Sequence, residues 1–161
     1  MLETYDAPGD IVSHVVWLEG KVAAGCAGGT VKVWEKGQPE PKILGGEGSA
    51  PSAVIRVLPV EGGLLVVRKS SEAKSYDWEG NVVKTFVDGF GDDMRDGDVC
   101  KDGRFFYALT QDNVLTGYDY ASGKMERRVE GELRRHVILI HSSVSANNLL
   151  RSSQAEGMFT R

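Results

Sequence analysis

The chain has little of what marks secreted, membrane-spanning or metal-binding proteins. It carries two cysteines, Cys26 and Cys100, in 161 residues. That is too few to staple a small secreted fold, and both are expected to remain thiols in a reducing cytosol or nucleus. No apolar run approaches the roughly 18 residues that a spanning helix needs, so no membrane association is expected. The opening Met1-Leu2-Glu3-Thr4-Tyr5-Asp6 has neither a basic start nor an apolar signal core, which argues against secretion. No Asn-x-Ser/Thr acceptor occurs. The three histidines, His14, His136 and His141, form no zinc pattern with the cysteines. There is no Gly-x-Ser-x-Gly elbow. Gly45-Gly46-Glu47-Gly48 has no Lys-Ser/Thr and opens no helix, which excludes a phosphate loop. No segment sustains a 3.6-residue period, so helices are not expected.

Apolar residues make up 41% of the chain, enough for a real core, and the net charge is −4. That charge argues against a surface built for general phosphate neutralisation. Its distribution is uneven. Residues 1–120 hold 12 Lys and Arg against 19 Asp and Glu, whereas residues 121–161 hold 7 against 4. The basic end includes Arg127, Arg128, Arg134 and Arg135. Such a run reads first as a solvated rim and second as a contact for an acidic partner or an RNA backbone.

A repeat organises the sequence. Val31-Lys32-Val33-Trp34-Glu35, Ala73-Lys74-Ser75-Tyr76-Asp77 and Leu115-Thr116-Gly117-Tyr118-Asp119 each end in an aromatic followed by an acid. Trp34, Tyr76 and Tyr118 lie 42 residues apart, twice. That interval falls within the period of about 40–45 residues found in WD-type propeller blades. Each aromatic-acid pair is followed by a turn rich in Gly, Pro, Asn or Ser, then by another short apolar segment. Four short strands fit in each period, which makes one blade. A fourth copy starts near His136, and Gly157 stands where Gly29 stands in the first.

The expected fold is therefore all-β: a WD-repeat-type β-propeller of about four blades of four-stranded antiparallel sheet, part of a larger ring. Residues 1–161 read as one partial domain, with blades at 10–44, 52–87, 93–130 and 135–161. Leu2 to Tyr5 reads as the outer strand of an otherwise absent blade. The two incomplete ends either complete each other or leave edges for a second polypeptide to satisfy, and the second option is favoured. The third blade is expected to be the weakest. Its inner strand, Asp93-Met94-Arg95-Asp96-Gly97-Asp98-Val99, is acidic, and burying it costs unless each acid is paired. A frayed strand or an ordered loop is expected there. Asp92, Asp93, Asp96 and Asp98 do not make a calcium loop, because Met94 takes a ligand position and Gly103 the twelfth.

Several stretches point to one family. Pro51-Ser52-Ala53-Val54-Ile55-Arg56-Val57-Leu58-Pro59 resembles an inner strand running into a Leu-Pro pair. Gly80-Asn81-Val82-Val83-Lys84-Thr85-Phe86 resembles an outer strand of the same family. Asp112-Asn113-Val114-Leu115 with Ser122-Gly123-Lys124-Met125-Glu126-Arg127 resembles its late blade, and Val137 to His141 through Gly157 its final one. Together these resemble the C-terminal half of the propeller in the Smu (suppressor of mec and unc) splicing-factor family. Nothing in the chain resembles that family's helical N-terminal region. The resemblance implies a non-catalytic nuclear scaffold of the spliceosome, acting in pre-mRNA splicing alongside a RED-like protein and other splicing proteins. A second chain supplying missing blades and direct contact with RNA are further partners to test. The alternative is a WD-repeat adaptor of another complex, with a cytoplasmic site as the alternative location.

No catalytic, metal or cofactor site is expected. Trp34, Tyr76 and Tyr118 read as structural strand aromatics. In WD repeats an acid in the turn before the strand often organises a hydrogen-bond network with that aromatic; Asp112 fits that place best, with Glu72 in a comparable one. Trp78, beside a turn, and the four arginines are the candidate partner contacts.

Overall fold

The computed structural model describes residues 9–18, 20–44, 52–70, 72–86 and 93–129. The fourth blade expected at 135–161, the strand expected at Leu2 to Tyr5, Arg134 and Arg135 lie outside the described residues. Among the described residues there are twelve strands and no helix. The strands are β1 (Val12–Leu18), β2 (Lys21–Cys26), β3 (Val31–Glu35), β4 (Lys42–Leu44), β5 (Val54–Val60) and β6 (Gly63–Arg68), followed by β7 (Glu72–Asp77), β8 (Val82–Phe86), β9 (Met94–Val99), β10 (Phe105–Thr110), β11 (Leu115–Asp119) and β12 (Met125–Val129). They form three four-stranded antiparallel sheets, each a meander in chain order.

The register repeats from sheet to sheet. Trp34 pairs with Val22, Tyr76 with Leu64 and Tyr118 with Phe106. The three aromatics of the 42-residue period thus hold one position in three sheets. All three are buried.

The core lies between sheets. Val31, Val33 and Leu44 of the first meet Val54, Val57, Leu64 and Val66 of the second. Gly25 sits at this contact. A Cβ there would come within 2.4 Å of Val54 Cγ1, so the close approach of the sheets requires glycine. Leu65, Val67 and Phe86 of the second sheet meet Met94, Phe106 and Tyr118 of the third. The Phe86 ring lies 5.3 Å from Phe106 and 6.0 Å, edge-on, from Tyr118. Such aromatic contacts add to the burial itself.

The third blade's inner strand corrects the expectation of a frayed segment or loop. β9 is a six-residue strand paired with β10, with one irregularity at Leu109/Thr110. Its acids are accommodated one by one. Asp96 accepts from Arg56 Nε at 2.7 Å. Asp98 accepts from the Val99 N–H. Asp93, just before the strand, pairs with Lys69 at 3.5 Å. Gly97 fits against the Phe106 ring and Val67. Paired acids remove the burial penalty on which the expectation rested.

Candidate protein-interaction surfaces

Two features of the blades recur from sheet to sheet, and a third joins the first two sheets. The first is a polar row on the inner strands. His14 pairs with Gly25, Arg56 with Val67 and Asp96 with Leu109, so the three hold equivalent positions on β1, β5 and β9. His14 Nδ1 accepts from the Val57 N–H at 3.2 Å, and Arg56 binds Asp96. Burial holds the His14 imidazole below its ordinary pKa; the nearby Arg56 cation adds to this and Asp96 opposes it. A neutral imidazole accepting a backbone hydrogen bond suits that environment. Among the described residues no group of three or more acids, histidines or cysteines is placed to hold a metal.

The second feature is a lysine latch between blades. Lys42 Nζ donates to the Trp78 carbonyl at 2.6 Å, and Lys84 Nζ to the Tyr120 carbonyl at 2.6 Å. Both pairs span 36 residues, and donors and acceptors each recur after 42. Each latch joins an outer strand to the turn between the third and fourth strands of the next sheet. Lys84 also stands 5.5 Å from the Tyr120 ring, and Lys21 5.5 Å from the Trp78 ring. Trp78, a candidate partner contact from the sequence, is half-buried against the first core, and its carbonyl takes part in this inter-blade contact.

The third feature is a buried cation. Arg68 is fully buried at the end of β6. Its Nη1 donates to the Tyr76 hydroxyl at 3.3 Å and lies 3.9 Å from Glu72. Here an acid at the start of the aromatic's own strand, Glu72, approaches the arginine that binds the aromatic, and it also pairs with Lys74. Asp112 does not do so in the third sheet. It stands exposed at the tip of the β10–β11 turn. That turn is held instead by Thr110 Oγ1, which accepts from the Val114 N–H, and by Asn113 at φ 62°. Asn113 Oδ1 accepts from Arg95. Asparagine tolerates this left-handed backbone better than most residues.

Arg127 and Arg128 lie exposed on β12. Arg127 pairs with Gly117 as Lys84 pairs with Ser75 and Lys42 with Val33, so Arg127 holds the latch position of the third sheet. The row of latch cations and the inner polar row escaped the reading of the sequence. His14 to Arg56 and Lys42 to Lys84 are both 42-residue intervals, and that was the available signal. Ile11, just before β1, and Val15 and Trp17 on it remain exposed, Trp17 at 73%.

No family model matches the sequence, and no curated protein matches it. Solved structures do. The computationally designed Ika4 protein superposes with a TM-score of 0.69 at 15% identity, over 80% of this chain and 78% of that one. The WD40 β-propeller domain of Doa1 superposes with a TM-score of 0.61 at 24% identity, over 74% of this chain and 40% of that one. The chain has the fold of a WD40-type β-propeller. A chain of the mitotic checkpoint complex matches at 0.66 and 15% identity, over 77% of this propeller and 38% of that chain. The propeller thus spans about two-fifths of the length of the latter two. In all, 512 solved chains match, a breadth that belongs to an architecture and not to one activity.

Proposed function

We propose that this propeller is a non-catalytic protein-interaction scaffold, a Smu-like spliceosomal component acting in pre-mRNA splicing in the nucleus. The observation that carries the reading is the ordered run from Pro51 to Gly157, which resembles that family's late blades in sequence and spacing. Within that run, the described family-like stretches at 52–59, 80–86, 112–115 and 122–127 fall in and beside β5, β8, β11 and β12 in chain order. A propeller offers rims, turns and a central opening as docking surfaces without chemistry of its own. Its partners in this reading are splicing proteins, a RED-like protein and a second chain that supplies further blades.

A second reading has its own support. A chain of the mitotic checkpoint complex and the Doa1 domain share the fold at low identity. An adaptor of another multiprotein complex, in nucleus or cytoplasm, fits that breadth. Native purification of the tagged chain, with its co-purifying proteins identified by mass spectrometry, decides between them. Early spliceosomal proteins in stoichiometric amount support the splicing scaffold. An unrelated assembly replaces it with the adaptor.

A further inference from the structure

A cleft of about 630 Å³ opens between the second and third sheets, at the β5–β6 and β9–β10 turns. Its apolar lining includes the half-buried Leu58, Val60 and Tyr120. Its rim is acidic. Glu61, Asp98 and Asp102 line it against one cation, Lys101. Glu61 and Asp102 are exposed, and Tyr120 is half-buried. The cleft exists because the β9–β10 turn is longer than its counterparts. β1 and β5 turn into the next strand through two residues, whereas Lys101-Asp102-Gly103-Arg104 spans four between Cys100 and Phe105. The added residues raise a wall beside the β5–β6 hairpin and bring Asp102 onto it.

An apolar floor beneath a net negative rim selects for one kind of occupant. An acidic or phosphorylated ligand meets like charge, and a purely apolar one leaves the carboxylates unanswered. We propose that this cleft docks a short extended peptide segment of a protein partner in which arginine or lysine alternates with a large apolar residue. The apolar side chain lies on Leu58, Val60 and Tyr120, and the flanking cations face Glu61 and Asp102. The inference rests on the interaction-scaffold reading and names the chemistry of one of its surfaces.

Cys100 lines the same cleft, whereas Cys26 is buried elsewhere. Alkylation of Cys100 therefore reports occupancy, with Cys26 as the internal control. The test titrates the full chain with a blocked hexapeptide of alternating Arg and Leu, following affinity by fluorescence anisotropy and Cys100 alkylation by mass spectrometry. Binding that slows Cys100 alkylation and weakens with salt is the expected result. Glu61→Lys with Asp102→Lys should weaken it about tenfold, consistent with exposed ion pairs being individually modest. Glu40→Lys, a charge reversal at an exposed position on another turn, should leave it unchanged. Glu61→Gln with Asp102→Asn, which adds no repulsion, should fall between the two and keeps the test valid if the double lysine variant melts early. Equal binding by the double variants, equal binding of an alternating Asp-Leu peptide, or no binding overturns the proposal. Co-purification of unchanged partners by the Glu61/Asp102 variants would sink the cleft while leaving the scaffold reading intact.

Discussion

The Nε of Arg68, at the end of the second sheet's β6, donates to the carbonyl of Gly29 in the first sheet's β2–β3 turn at 3.2 Å. One buried guanidinium therefore fastens two blades, and its other end holds Tyr76 and Glu72. Replacing it by Met keeps much of the volume but strands the Gly29 carbonyl. Arg68→Met is expected to cost about 2–4 kcal/mol, measured by urea unfolding. A loss below about 0.5 kcal/mol would show that the bridge contributes little.

Gly25 sets the spacing of the first two sheets. Gly25→Ala places a Cβ against Val54 and Val57, which cannot both yield in a packed interface. A loss of about 1–3 kcal/mol is expected. The companion Val54→Ala change should recover part of it, because the two sites share one contact. Failure of the double variant to recover any stability counts against this packing.

His14 makes stability depend on pH. Its folded pKa lies below the unfolded value of about 6.5. The unfolded chain therefore binds the proton more tightly, and the contribution is fully present above that value. It is lost as pH falls from about 6.5 through the folded pKa. The carboxylates of Glu35, Asp77 and Asp119 are also held low, by Lys21, Asn81 and the Ser122 backbone respectively. They act in a lower window, below the usual carboxylate range of about 4. His14→Gln should flatten the stability profile just below about pH 6.5 while leaving the acid limb in place. Urea midpoints across that range check it.

The lysine latches occupy separate interfaces. Lys42→Met and Lys84→Met should each destabilise by about 0.5–1.5 kcal/mol, as expected for a charged donor to a carbonyl at the edge of solvent. Their effects should add within about 0.5 kcal/mol. Strong coupling in a double-mutant cycle would contradict independent latches.

Trp17 is the most exposed of the three tryptophans described, while Trp34 is 2% exposed. With Val15 on β1 and Ile11 just before it, Trp17 leaves an exposed apolar strip, and such strips promote association. Trp17→Ser should lower self-association in sedimentation at matched concentration, and iodide should quench wild-type emission only in part. Complete quenching would place Trp34 at the surface as well.

The sequence made the propeller legible because the strand aromatics return at a fixed interval. Trp34, Tyr76 and Tyr118 mark one register position in each sheet, and the flanking turn residues follow from local backbone chemistry. Two things stayed hidden. The acidic look of β9 concealed a strand, because the partner of Asp96 lies 40 residues away on β5. Asp112 stands exposed in the third sheet, while Glu72, which holds the comparable place in the second, reaches Arg68; a hydrogen-bond network depends on which side chain reaches across, not on which turn holds an acid. The polar row was concealed for a further reason. The longer β9–β10 turn moves the counterpart of Arg56 to Asp96, two residues short of the 42-residue interval.

The latch also has a direction. In both latches the donor sits on an outer strand and the acceptor carbonyl on the turn between the third and fourth strands of the blade that follows, so the two sides of the contact are different surfaces. Arg127 carries the donor side forward from the third sheet. Contacts of this kind are heterologous: they repeat head to tail. A unit added through Arg127 extends a ring or a spiral, and two copies joined this way close only if each also offers its acceptor turn to the other's donor strand, as two half-rings would.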